Sequence, residues 1–244
     1  MTEKSAKKVA LVTGGGTGIG AACCRALAAE GFLVGIHYRS SQAGAEALAA
    51  SLPDAFLVQA DLASIESVDA LIGRLKEVAG RLDVLVNNAG YNVNAPSLTM
   101  KVADYDAVHA LLRGTWYLTK SVVRRFMLRE GGRIINITSV VGHTGNAGQS
   151  AYVMAKAALD ALTKSLPQEF RDRNVLVNSV APGFISTEMT AGLPEEAKAS
   201  MLSRIPLGRM GTPEEVADVV AYLATRGSYV QGTVIHVNGG MYGG

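Results

Sequence analysis

Tyr152 and Lys156 stand four residues apart in AYVMAKAAL, a stretch of helix formers with an apolar stripe. Four residues are about one helical turn, so the phenol and the ammonium project from one face. Ser139 ends the apolar run RIINITS thirteen residues earlier, where a strand delivers it to the edge of a sheet. A phenol in water ionises near pH ~10 and is a poor proton carrier at neutrality. A cation beside it stabilises the phenolate, and a neighbouring hydroxyl can hydrogen-bond a substrate oxygen. Together the three groups are suited to exchanging a proton with a carbonyl or an alcohol. A Y-x-x-x-K pair alone is an ordinary surface pair in many helices, so the chemistry also requires a cofactor site.

The N-terminal segment supplies one. KKVALVTGGGTGIGAACCRALAAEG reads as strand (Val9 to Val12), glycine turn (Gly14 to Gly20) and helix (Ala21 to Glu30). Glycines let a backbone approach a pyrophosphate closely, and a helix N-terminus offers it unpaired N–H groups. The spacing Thr13, Gly14, Gly18, Gly20 departs from the common G-x-G-x-x-G fingerprint.

TGGGTGIG, the NNAG of Asn87 to Gly90, Ser139, the Tyr152/Lys156 pair and the PGFIST of Pro182 to Thr187 stand in one order along the chain. In this set and order the chain resembles the short-chain dehydrogenase/reductase family over nearly its whole length. GNAGQSAYVMAKAAL, VNSVAPGFISTEMT, PLGRMGTPEEVADVVAYLA and YVQGTVIHVNGGM are most similar to the β-ketoacyl-[acyl carrier protein] reductases of that family. The resemblance implies catalytic roles for Ser139, Tyr152 and Lys156. It implies cofactor contacts from Gly14, Thr17, Gly18, Ile19, Gly20, Asp61, Leu62, Asn88, Ala89, Gly90, Pro182, Gly183, Ile185 and Thr187, with Tyr152 and Lys156 also on the nicotinamide side. Asp61 is alternatively a cap or turn residue, and Asn87 and Asn88 alternatively only stabilise a turn.

The end of the second strand indicates which nicotinamide cofactor to expect. An acid there would bond the ribose hydroxyls and repel a 2′-phosphate. The sequence is HYRSS, with Tyr38 at that place and Arg39, Ser40 and Ser41 following. A guanidinium flanked by hydroxyls suits a phosphate dianion, so NADPH (NADP+) is expected, with Arg39 and Ser40 as contacts. One departure stands out. Leu111, in LLRGTWYLTK, occupies the place where the family carries an Asn that supports a water relay to the active-site lysine, and no Asn occurs between Lys101 and Met127. Slower turnover than in relatives with the Asn is expected.

The rest of the chain bounds the architecture. Its 244 residues are 48% hydrophobic and 18% charged, with net charge +2. This suits one α/β domain and argues against nucleic-acid or membrane-surface partners. Strand-like runs fall at Leu33–Tyr38, Ala55–Gln59, Val84–Val86, Arg133–Thr138, Val175–Val180 and Val234–Val237. Helical patterns fall at Ala43–Ser51, Ile65–Ala79, Tyr105–Arg129, Ala151–Arg171 and Pro213–Ala224. The alternation predicts a single-domain Rossmann-type, doubly wound parallel sheet with helices on both faces. The stretch 187–209 breaks the pattern and is expected to be a substrate lid. No run approaches a membrane span or a signal-peptide core, the adjacent Cys23 and Cys24 fit buried helix positions, and a cytoplasmic location follows. His37, His109, His143 and His236 are scattered without metal-ligand spacing, so no metal site is expected.

The function expected from the resemblance is NADPH-dependent reduction of a 3-oxoacyl group on acyl carrier protein, in fatty acid or polyketide-type synthesis. Arg173, Arg124, Arg125 and Arg129 are candidates to meet the acidic carrier, and the assembly expected is a homotetramer. Two alternatives remain open. One is a reductase of a free ketone or secondary metabolite. The other is a weakly active or inactive cofactor-binding subunit, motivated by Leu111.

Overall fold

A computed structural model describes residues 7–187 and 195–243. Among them, one parallel sheet runs in the order β3-β2-β1-β4-β5-β6-β7. Its strands are β1 (Val9–Val12), β2 (Leu33–Tyr38), β3 (Ala55–Gln59), β4 (Val84–Asn87), β5 (Gly132–Ile137), β6 (Val175–Pro182) and β7 (Val234–Val237). The central strands are buried on both faces, which is why they read as continuous apolar runs and not as alternating ones. Helices α1 (Gly18–Ala29) and α2 (Gln42–Ser51) cover one face, with Leu27 and Leu48 in its core. The other face carries α3 (Ile65–Val78) and α4 (Val102–Val122), with Leu71, Leu75 and Leu118 packed beneath them. The chain then forms a π turn (Val123–Met127), the short α5 (Leu128–Glu130), the single-turn α6 (Val141–Thr144) and the long α7 (Ser150–Glu169). Helices α8 (Glu195–Leu202) and α9 (Pro213–Thr225) follow, and α9 joins α1 over the first face through Val216, Val220 and Leu223.

Register brings the strand ends level. Val12 pairs with both Ile36 and Val86, Asn87 with Asn136, and Ile137 with Val180. The chain therefore leaves β1, β4, β5 and β6 along one edge, beside the point where strand order reverses between β1 and β4. In open parallel sheets that crevice receives the ligand.

Two helices differ from the sequence reading. Helix α1 begins at Gly18, inside the glycine run, and not at Ala21. Glycine disfavours helix, but close approach to the preceding turn demands it here. The long fourth helix widens into the π turn after Val122 and does not run on regularly. Of the expected lid 187–209, residues 188–194 lie outside the described residues, and the next eight form α8.

Candidate active site

The glycine turn after β1 is braced from two neighbouring strands. Asn88 Nδ2 donates to the carbonyls of Thr13 (2.9 Å) and Gly14 (3.1 Å). Thr13 Oγ1 accepts from the Asn88 and Ala89 amides at 2.9 and 3.0 Å. From β2, His37 Nδ1 accepts the Gly14 N–H (3.1 Å), so its proton sits on Nε2 and faces the Ala60 carbonyl, also at 3.1 Å. Burial pushes the His37 imidazole down to about 4, which keeps it in this neutral, accepting form. A protonated ring would aim an N–H at the Gly14 N–H.

The brace leaves the N-terminus of α1 open. No side chain caps it, and its first turn holds no acid. Its first amides are the free donors that bind anions. A Cβ on Gly20 would lie 2.1 Å from the Gly14 carbonyl oxygen, so only glycine closes the turn this tightly. Thr187 faces the same cleft, with its methyl 3.7 Å from where a Cβ on Gly18 would stand. This cradle fits a pyrophosphate on Gly14, Thr17, Gly18, Ile19 and Gly20.

The proton-carrying residues meet at the end of β5. The Lys156 side chain is buried, and its ammonium donates to the Ile137 carbonyl at 2.7 Å. A buried ammonium requires such an acceptor. The same ammonium lies 5.5 Å from the centre of the Tyr152 ring, and a Cβ on Gly90 would come within 3.6 Å of it. Ser139 follows Ile137 by two residues. Its Oγ accepts from the Val141 amide at 3.4 Å, and Val140 N–H donates to the Pro182 carbonyl at 2.9 Å, tying the loop to β6. Lys156, with the Tyr152 ring and Gly90 near it, thus stands at the end of β5, which Ser139 follows.

At the far end of the crevice, Arg39, Ser40 and Ser41 are exposed after β2, and among the described residues the Arg39 guanidinium has no ion partner. Asp61 is exposed, and its Oδ1 accepts from the Ala63 amide at 2.9 Å, so it is a turn residue as well as a ligand candidate. Leu62 is buried, with its side chain packed in the core and its carbonyl against Gly114 of α4. Ile185 is likewise buried and bridges to Gly211, while Gly183 N–H donates to Val237 O at 2.9 Å. Asn87 serves the sheet. Its Nδ2 donates to Thr119 Oγ1 (2.9 Å) and Asn136 Oδ1 (2.8 Å), and Asn136 continues to Thr163 (2.8 Å).

Leu111 lines a cavity of ≈ 20 Å³, the size of one water, together with Thr115, Tyr152 and Lys156. Thr115, which the motif reading passed over, turns its hydroxyl back onto the Leu111 carbonyl at 2.9 Å. His37 and the contact between His143 and His236 were also missed, because spacing along the chain gives no sign of either.

Comparison with known proteins identifies the family. The family described as Enoyl-(Acyl carrier protein) reductase matches residues 14–242. The chain is 45% identical to the 3-oxoacyl-[acyl-carrier-protein] reductase FabG of Aquifex aeolicus, over 99% of this chain and 100% of that protein. It is 44% identical to the 3-oxoacyl-[acyl-carrier-protein] reductase of Synechocystis, over 99% of each, and 42% identical to the Haemophilus influenzae FabG, over 96% and 98%. With the seven-stranded parallel sheet and the motifs along its edge, the chain belongs to the short-chain dehydrogenase/reductase family, whose members are nicotinamide-dependent oxidoreductases.

Proposed function

We propose that this protein reduces a 3-oxoacyl group carried on acyl carrier protein to the 3-hydroxyacyl form, using NADPH. The observation that carries the reading is the Lys156 ammonium, fixed on the Ile137 carbonyl, 5.5 Å from the Tyr152 ring and on the strand edge that presents Ser139. The names of the relatives supply the substrate class. When bound, reduced nicotinamide supplies the hydride. Tyr152 gives its proton to the carbonyl oxygen of the substrate, and Ser139 hydrogen-bonds that oxygen as charge develops on it. Lys156 balances the phenolate left on Tyr152 and holds the ribose. Asn88, Ala89, Gly90, Pro182, Gly183, Ile185 and Thr187 frame the nicotinamide end. Asp61 and Leu62 stand by the adenine.

Oxidation of NADPH by acetoacetyl thioester tests the reading, with crotonyl thioester beside it. The matching family carries an enoyl reductase description. Turnover of crotonyl and not of acetoacetyl thioester would replace ketone reduction by enoyl reduction.

Arg39 supports NADPH over NADH, because it and two serine hydroxyls stand exposed where the 2′-phosphate arrives. Arg39→Ala is expected to weaken NADPH binding about 10–100-fold, the worth of a charge-assisted contact, and to leave NADH binding nearly unchanged. Equal losses for both cofactors in a fluorescence titration would refute phosphate recognition by Arg39.

Leu111 bears on rate. The Lys156 ammonium already has a backbone acceptor, and the Leu111 carbonyl holds the Thr115 hydroxyl, so catalysis continues without the family's Asn. Leu111→Asn adds an amide beside the one-water cavity and is expected to raise turnover several-fold with NADPH affinity unchanged. The leucine also packs on the core, so the melting temperature should fall by a few degrees. Unchanged turnover in the folded variant would show the relay complete as it stands.

An exposed groove of ≈ 360 Å³ between α4, the π turn and α7, with Trp116, Val123, Leu128 and Phe170 in its lining, supports self-assembly. Trp116 is 45% exposed and Leu128 38% in the single chain. Covering such a groove with copies of the same chain gives the homotetramer, and light scattering at micromolar concentration should report four copies. A monomer there would count against it. Arg124 lines that groove and is covered with it, so the exposed Arg125, Arg129 and Arg173 remain the candidates for the acidic carrier.

A further inference from the structure

Asp160 is a buried carboxylate on α7, 4% exposed, and nothing in the proposed reaction uses it. Neither of its oxygens accepts an aligned hydrogen bond from the described residues. Its charge partner is His143, whose Nε2 lies 3.0 Å from Oδ2, off the hydrogen-bond direction. A buried carboxylate without a counter-charge is costly, so this contact matters to both elements that make it.

Those elements are the ones that carry the site. His143 sits on α6, the single turn that follows Ser139. Beside it, Gly142 packs on the backbone of α7, where a Cβ would lie 3.2 Å from the Ala157 nitrogen and 3.4 Å from the Lys156 Cβ. Asp160 follows Lys156 by four residues, one turn along the same face. Backbone contact at Gly142 sets how closely α6 approaches, and the ion pair at His143 sets where it sits along α7.

Two further groups close the cluster. His236 of β7 meets His143 edge-on at 4.7 Å between ring centres, and Tyr242 stacks on His143 at 5.2 Å. The titratable groups around His143 are therefore Asp160, and one turn away Lys156, from α7, His236 from β7, and Tyr242 from the C-terminal segment. Burial, and next the charge of His143, hold His236 below the ordinary imidazole range.

We infer that the His143–Asp160 pair is a positioning element for catalysis. It holds α6, and with it the Ser139 hydroxyl, in register with Tyr152 and Lys156. The inference rests on the proposed role of Ser139.

Kinetics with NADPH and acetoacetyl thioester test it. His143→Gln should bind NADPH within about 2-fold of the wild type and lose about 10-fold in kcat with KM nearly unchanged, as expected when orientation and not binding suffers. Asp160→Asn should behave alike, and the double variant should be no slower than the slower single one. His143→Lys restores a cation beside Asp160 and should recover rate. A folded His143→Gln with wild-type kcat, or a His143→Lys no faster than His143→Gln, overturns the inference. If Asp160→Asn fails to fold, His143→Gln decides, because its ring is partly exposed. Wild-type protein inactive on every thioester fails the functional reading instead. The pair is then read from thermal unfolding of the two single variants and the double, where purely additive shifts overturn it.

Discussion

Tyr152→Phe is expected to lower turnover by about 10²–10⁴-fold, the contribution of a positioned general acid, while NADPH affinity stays within a few-fold of the wild type. The substitution removes one oxygen. The ring stays, and with it the contact 5.5 Å from the Lys156 ammonium, which itself is anchored on the Ile137 carbonyl and not on the phenol. The lysine therefore keeps its place, and the glycine turn lies on other strands altogether. Hydride transfer to a ketone without a proton for the oxygen leaves an alkoxide that Ser139 alone must stabilise. Steady-state kinetics with acetoacetyl thioester, beside a fluorescence titration of NADPH, separate the two effects. Near-wild-type turnover would mean that another group delivers the proton. A parallel loss of cofactor binding would mean that Tyr152 serves structure.

The sheet was legible because each strand is a short, largely apolar run between turn residues, and the central strands are buried on both faces. β1, β3 and β7 have the bounds their apolar runs predicted, since a run flanked by turn residues has no other place in a parallel sheet. Of the trio proposed to react, the nearness of Tyr152 to Lys156 was legible because they lie one helical turn apart, and the place of Ser139 because it follows a strand. Residues that depend on strand order were not. His143 and His236 are 93 positions apart, and only the placement of β7 beside β6, with α6 packed on α7, brings their rings to 4.7 Å. His37 was silent for a similar reason. Its neighbours are Gly14 and Ala60, which meet it only because β2 lies between β1 and β3. Thr115 reads as a weak helix former, yet its hydroxyl is satisfied within the helix by the Leu111 carbonyl, so neither propensity nor pattern marked it.

The start of α1 was misplaced for the reason that makes Gly20 the most sensitive position of the cofactor cradle. Propensity counts each glycine against a helix, but here the helix begins among glycines because the chain folds back on itself. A Cβ on Gly20 would stand 2.1 Å from the Gly14 oxygen and 2.6 Å from Asn88 Nδ2. The first is backbone and cannot swing aside. The second is the amide that ties the turn to β4. Gly20→Ala must therefore push the turn away from the α1 N-terminus, separating the amides that would hold the pyrophosphate. The expected result is a loss of about 100-fold or more in NADPH affinity, with a fall of several degrees in melting temperature from the overpacked contact. Gly73, in the middle of α3, is the control, because a Cβ there meets nothing within 4 Å. Gly73→Ala should leave NADPH binding alone and raise stability by about 0.5–1 kcal/mol, since alanine loses less conformational freedom in a helix. Titration and thermal unfolding of both variants decide the matter. If Gly20→Ala binds NADPH as the wild type does, the turn yields where the geometry says it cannot, and the cradle assigned to Gly14, Thr17, Gly18, Ile19 and Gly20 is not where the phosphates sit.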